Sequence, residues 1–131
     1  MAIIKKYRSH GDGVSANTLV KLTGGLVQAV TSDTATDCIG VVLNTTTAVN
    51  EAAYVCVEGI CQVKSGDEDI VPGSSLMNDG SSRVIAATGA GKVKVGLFLG
   101  EEVDGADTSV AENDLISIYV YANKTTAIPG A

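Results

Sequence analysis

The stretch CIGVVLNTTTAVNEAAYVCVEGICQVK, residues 38–64, packs three short β-prone runs, 38–43, 53–57 and 60–63, around polar turns and Gly59. Valine, isoleucine and tyrosine in runs of this length, bounded by Asn, Thr and Gly, are the pattern of a small antiparallel sheet. A two-residue turn at Glu58-Gly59 places Cys56 directly across from Cys61 in this reading. The first run, IGVVL at 39–43, returns as VGLFL at 95–99, with Gly40 and Gly96 standing 56 residues apart. Glycine inside a strand pattern signals a bulge or the close approach of another backbone.

The same offset extends outward on both sides. Residues 18–22 turn at Gly24-Gly25 and return through 26–30, which predicts a hairpin. Residues 75–78 turn at Asp79-Gly80 and return through 83–87, which predicts a second. At the 56-residue spacing Gly24 falls on Gly80, Val20 on Leu76, Ile39 on Val95 and Leu43 on Leu99. An internal duplication follows from this alignment, with two similar β units closing one barrel or sandwich. Residues 115–121 (LISIYVY) form the last strong strand, and 108–113 suit one helical turn.

A chain of 131 residues with one Phe, four Tyr and no Trp builds one domain whose core rests on Val, Ile, Leu and Ala. Its 15 glycines and two prolines suit short strands and tight turns, so the fold class is all-β. The net charge of −6 is unevenly spread, because residues 1–10 hold three of the nine basic residues and none of the 15 acidic ones. Ala2 to Arg8, cut off by Gly11-Asp12-Gly13, therefore reads as an extended N-terminal arm over residues 1–13. A single β domain then spans 14–121, and a flexible tail 122–131. So acidic a body repels phosphate backbones, which argues against nucleic acid as a partner. No apolar run approaches the ~18 residues needed to cross a bilayer as a helix. The start MAIIKKYRS lacks a signal-peptide core, so synthesis in a reducing cytoplasm is expected, with Cys38, Cys56 and Cys61 as reduced, small apolar fillers.

The motifs of chemistry are absent or incomplete. His10 has no second imidazole to work with, and no nucleophile elbow occurs. Gly89-Ala90-Gly91-Lys92 resembles a phosphate loop but has Ala86 at its first glycine and Val93 where a magnesium ligand belongs. The acidic groups Asp67-Glu68-Asp69 and Glu101, Glu102, Asp104 and Asp107 lack the grammar of a calcium loop and read as solvated charge. No enzyme, metal or cofactor is expected. Tyr119 and Tyr121 share one face of their strand.

The order of a basic arm, a Leu-Val hairpin, Ile39-Gly40-Val41-Val42, Val55-x-Val57-x-Gly59, Ile70-x-Pro72-Gly73, Asp79-Gly80 and Val95-Gly96-x-Phe98-Leu99 resembles the capsid cement, or head decoration, proteins of tailed bacteriophages. The resemblance covers roughly residues 11–121; Ser74 stands where the family commonly has Asp. It implies a small β-barrel or β-tulip-like domain on the outer surface of the virion capsid, commonly a homotrimer, that bridges major capsid protein subunits and stabilises the head. In that setting the arm residues Ile3, Ile4, Lys5, Lys6, Tyr7 and Arg8 become the capsid-binding set, ordering as an added strand on the capsid. Gly40 and Gly96 are the structural glycines. The alternative is a free-standing β binding module of a phage tail or fibre that takes carbohydrate or protein, although a chain without Trp is poorly supplied with aromatic platforms.

Overall fold

The computed structural model describes residues 2–31, 38–66, 73–86, 93–99, 114–121 and 126–127. All regular structure among them is β: β1 (Ala2–Ser9), β2 (Thr18–Thr23), β3 (Leu26–Ala29), β4 (Cys38–Val42), β5 (Ala52–Lys64), β6 (Ser75–Asn78), β7 (Val84–Ala86), β8 (Val93–Phe98), β9 (Leu115–Val120) and β10 (Thr126–Ala127). The helical turn expected at 108–113 lies outside the described residues.

Five strands close a barrel. β1 runs antiparallel to β5, β5 to β4, β4 to β2 and β2 to β3, and β3 returns to β1 in parallel at Arg8↔Leu26 and Ser9↔Val27. The hairpin β2–β3 turns on Gly24 (φ 58°) and Gly25 (φ 83°), the two positive angles that match a two-residue turn to the strand twist. Val20, Val27, Val42, Ala53, Val55 and Val57 fill the interior, with Tyr7 packed against them.

Ala2–Ser9 is therefore not an arm. It is the strand that closes the barrel, paired along its length with β5 from Ala2↔Gly59 to Arg8↔Ala52. Nor does the chain turn at Glu58-Gly59, because β5 is one strand of 13 residues. Gly59 (φ 111°) accompanies a bulge instead, where the register on β1 steps from Ile3↔Glu58 to Ile4↔Cys56 and skips Val57. Cys56 and Cys61 thus lie along one strand rather than across two. The tail expectation also changes, since Thr126–Ala127 pairs with Lys94 and Val93 of β8; the rest of 122–131 lies outside the described residues.

The second half of β5 opens a second unit built in the same order. β5 pairs with β9, β9 with β8, β8 with β6 and β6 with β7, all antiparallel. Val84 at the start of β7 then returns in parallel to Ser65, and the Gly66 N–H donates to the Val84 carbonyl at 2.8 Å. Register makes the correspondence specific. Val20↔Gly40 and, after a one-residue slip, Lys21↔Cys38 in the first unit become Leu76↔Gly96 and, after the same slip, Met77↔Lys94 in the second. Val41↔Cys56 becomes Leu97↔Tyr119. The interior follows suit, Val20, Val27, Val42 and Val55 giving way to the larger or equal Leu76, Val84, Phe98 and Ile118.

The second hairpin differs from the first in its turn. Asp79 accepts the backbone N–H of Ser81 (2.8 Å) and of Arg83 (3.2 Å), and its carboxylate receives the Arg83 Nε–H at 2.9 Å. A carboxylate tied three ways can hold a longer loop that two glycines hold in the first unit.

The two units share a wall. Leu19, Val30, Cys38 and Val41, on the outside of the first barrel, join the cluster that holds Val63, Leu76, Phe98 and Ile118 of the second. Leu19 N–H donates to the Ser82 carbonyl (2.8 Å), Lys64 N–H to the Asn17 carbonyl (2.8 Å) and Ser82 Oγ to the Val30 carbonyl (2.7 Å), so the seam is hydrogen-bonded as well as apolar.

Candidate functional site

β1 carries the residues expected to bind a partner. Its inward contribution is small, because Tyr7 is half-buried against the first core and Ser9 is fully buried. Ile3 and Ile4 are 48% and 52% exposed, and Lys5, Lys6 and Arg8 are exposed beside them. Tyr54, opposite Lys6 on β5, extends the same outer surface. Five of the six expected binding residues therefore lie on one exposed strand, while Tyr7 serves the core.

The backbone of β1 is half-used. One edge pairs with β5 throughout, but the other meets β3 only at Arg8 and Ser9, so Ala2–Tyr7 has no second strand partner among the described residues. A free edge is a template for an added strand. The direction of augmentation is thus the reverse of the sequence expectation: β1 belongs to this barrel and can receive a strand.

Elsewhere the polar groups have structural work. A recess of about 410 Å³ is lined by Asp12, Thr18, Thr45, Thr46 and Ser82 among others. Several of its hydroxyls are engaged, Thr46 Oγ1 accepting the Val14 N–H (3.1 Å) and sharing a 2.6 Å contact with Ser9 Oγ, and Thr45 Oγ1 accepting the Ala16 N–H (3.1 Å). Thr18 Oγ1 donates to the Ser15 carbonyl at 2.6 Å. Asp12 there is the one titratable lining group, and its carboxylate lies 3.3 Å from His10 Nδ1 and accepts the Gln28 Nε2–H at 2.8 Å. His10 Nδ1 accepts the Asp12 N–H at 3.2 Å, a local turn contact. No group of three or more His, Cys, Asp or Glu able to hold a metal occurs among the described residues. The acidic groups at 67–69 and 101–107 and the loop at 89–92 lie outside them.

Cys38 and Cys56 are buried and Cys61 is half-buried, and Cys38 Sγ donates to the Gly40 carbonyl at 3.9 Å. Cys56 and Cys61 hydrogen bond to each other across the bulge of β5. That bond holds the Cys56 thiol below its ordinary value against the opposing effect of burial, and the Glu58 backbone assists. The same bond, with burial and the neighbouring charge, pushes Cys61 up. Alkylation of the native protein near neutral pH should therefore be slow, since the more accessible thiol is the one held protonated. Denaturation without reductant should yield three labelled thiols by intact mass; one labelled thiol would establish a bridge between two of the cysteines.

Sequence reasoning missed a second exposed surface. On the outer face of the second unit Ile60 pairs with Tyr119, and Tyr119 with Leu97. Tyr121 packs beside Tyr119 with ring centroids 6.3 Å apart. The shared face of Tyr119 and Tyr121 was legible from strand periodicity, but their neighbours across the sheet depend on Ile60 belonging to a continuous β5.

No protein-family model matches the sequence, and no curated protein matches it significantly. Among solved structures the chain is similar to the N base of the head fiber protein gp8.5 of bacteriophage phi29, with a TM-score of 0.63 at 14% identity. The match covers 96% of this chain and 98% of that one. Fold is thus shared from end to end, both units included.

Proposed function

We propose that this chain is a structural virion protein that decorates the outside of a tailed-phage head, binding and bridging major capsid protein subunits. The observation that carries the reading is the end-to-end likeness in fold to a phage head fiber base, at 96% and 98% coverage. The order of motifs in the sequence supports it independently. A protein of this kind works mechanically, each weak contact gaining from the others it makes at once.

β1 is the surface proposed to meet the capsid. Its open edge offers main-chain hydrogen bonds, Ile3 and Ile4 offer apolar contact, and Lys5, Lys6 and Arg8 suit a carboxylate-bearing strand. Because β1 is already ordered, binding avoids the ~1–2 kcal/mol per residue of backbone entropy that a disordered arm would lose. Exposed charges contribute modestly one by one. Reversing all three (Lys5→Glu, Lys6→Glu, Arg8→Glu) should weaken co-sedimentation with emptied, expanded heads by roughly tenfold, equivalent to ~1.4 kcal/mol, and leave the melting temperature within a few degrees. Failure of the wild-type protein to co-sediment would overturn the function. Undiminished binding by the triple variant would move the contact off β1.

A further inference from the structure

Both cysteines of β5 sit where that strand passes from the first unit to the second. Gly59 pairs with Ala2 of β1 and with Val120 of β9, so it belongs to both units. On a flat strand, side chains five positions apart point to opposite faces and stand about 17 Å from one another. The bulge that skips Val57, with Gly59 at a φ of 111°, breaks that geometry. Cys56 lies on the outer wall of the first barrel in a row with Leu19 and Val41, through the pairs Leu19↔Val41 and Val41↔Cys56. Leu19 and Val41 are buried in the core of the second unit, and Cys61 packs against that same core. The two faces of β5 are thereby brought onto one cluster, and the two thiols meet there in a hydrogen bond.

We propose that Cys56 and Cys61 are a reversible dithiol–disulfide pair, closed by a peroxide, that fastens the joint between the two units. Their placement favours this over two inert fillers. They flank the bend of the strand that both units share, and the half-buried Cys61 gives a small oxidant a way in. Cys38 is buried, with its Sγ turned to the Gly40 carbonyl. The paired thiols are also unlike. Cys56 is held toward the thiolate, by the Cys61 hydrogen bond first and the Glu58 backbone after it, while Cys61 is held protonated. An attacking and a resolving cysteine differ in this way.

The chemistry closes with hydrogen peroxide as the oxidant. The Cys56 sulfur attacks one oxygen, the O–O bond breaks, and hydroxide leaves and takes up the proton that Cys56 gave up. The Cys61 sulfur then attacks the Cys56 sulfenic acid, the S–O bond breaks, and the hydroxyl leaves as water with the Cys61 proton. Two thiols thus lose two electrons and two protons, and the peroxide becomes two waters. The bridge closes a short loop, so its effect on the unfolded chain is smaller than that of a long one. It acts, however, on the strand whose continuity both units require. The inference concerns the chain alone and stands apart from the capsid reading.

Hydrogen peroxide added to the native, reduced, full-length protein tests it, with quenching, denaturation and alkylation before mass analysis. One labelled thiol, on Cys38, should remain. Proteolysis after Glu58 should give two peptides joined through Cys56 and Cys61. The oxidised protein should melt roughly 5–10 °C higher than the reduced one and return on treatment with dithiothreitol. In Cys61→Ala the reaction should stop at a Cys56 sulfenic acid that dimedone traps. Three labelled wild-type thiols after peroxide, a bridge through Cys38, or overoxidation of Cys56 without a bridge would each overturn the pairing. A Cys56–Cys61 bridge that leaves the melting temperature unchanged, or lowers it, would overturn the fastening role.

Discussion

Deletion of residues 2–8 is expected to abolish cooperative folding of the first barrel. The segment pairs with β5 at every position from Ala2 to Arg8 except for the single slip beside Ile4, and joins β3 at Arg8. Without it the interior around Val27, Ala53 and Val55, all at 0% exposure, opens to water along one side. Uncovering even two such side chains costs about 1.5–3 kcal/mol each, and losing Tyr7 from the same cluster adds to it. Domains of this size have net stabilities of only ~5–15 kcal/mol. β5 also loses its β1 partner over Ala52–Gly59, keeping β4 only beside Val55 and Cys56, while remaining the first strand of the second unit, so the damage spreads through the shared strand. Thermal denaturation followed in the far and near ultraviolet should show no cooperative transition, or one lowered by tens of degrees. A truncated protein that melts within a few degrees of wild type would mean that β1 is peripheral to the barrel. The charge-reversed triple variant is the companion measurement, because it alters the outer surface of β1 while keeping its backbone and Tyr7.

The hairpins, the glycine-bearing strands and the repeat were legible because each depends on local chemistry. Gly24-Gly25 dictates its turn, and Gly40 and Gly96 mark the same slip in two equivalent pairings. β1 was obscured by its own composition. A barrel-closing strand with one open edge buries little, so Ile3 and Ile4 face water, no clean alternation appears, and three cations make it resemble a solvated arm. Glu58-Gly59 misled for a different reason, since Gly at positive φ serves both turns and bulges. The alternation around it did hold the answer. A two-residue hairpin would set Val55 opposite Gln62 and Val63 opposite Tyr54, mixing apolar with polar on both faces. A continuous strand instead keeps Ala53, Val55, Val57, Cys61 and Val63 in one phase, and these are the residues that pack into the two cores. The exposed face of Ile60, Tyr119 and Leu97 was beyond reach for the same reason, as it exists only once β5 is continuous and its strand neighbours are known.

Gly40→Ala and Gly96→Ala should each destabilise the protein strongly, and by unequal amounts. A Cβ on Gly40 would strike the Cys56 carbonyl, and one on Gly96 the Tyr119 carbonyl, both backbone atoms that cannot swing aside. The equivalence is chemical as well as topological, for Cys56 and Tyr119 are the residues opposite Val41 and Leu97, which follow the two glycines in the chain. Overpacking of this kind costs typically 1–3 kcal/mol and occasionally more, so about 2–4 kcal/mol is expected at each site. Gly40 bears a further penalty. Its φ of +154° lies in a region that L side chains rarely adopt, and Val55 Cγ1 stands 3.1 Å from the added carbon. That strain adds about 1–2 kcal/mol, so Gly40→Ala should be the less stable of the two. For a domain of this length each kcal/mol lowers the melting temperature by roughly 3–6 °C. Gly24→Asn separates crowding from the mere loss of glycine, because Gly24 also has a positive φ, +58°, but nothing stands within 4 Å of its added carbon. Asn accepts that turn conformation readily, so the change there should be under about 1 kcal/mol. Melting temperatures for the three variants that fall in the order Gly24→Asn, Gly96→Ala, Gly40→Ala fit a backbone crossing repeated in two units. Equal and small losses at Gly40 and Gly96 would show that the two crossings are loose enough to admit a methyl group, and that the repeat does not require glycine there.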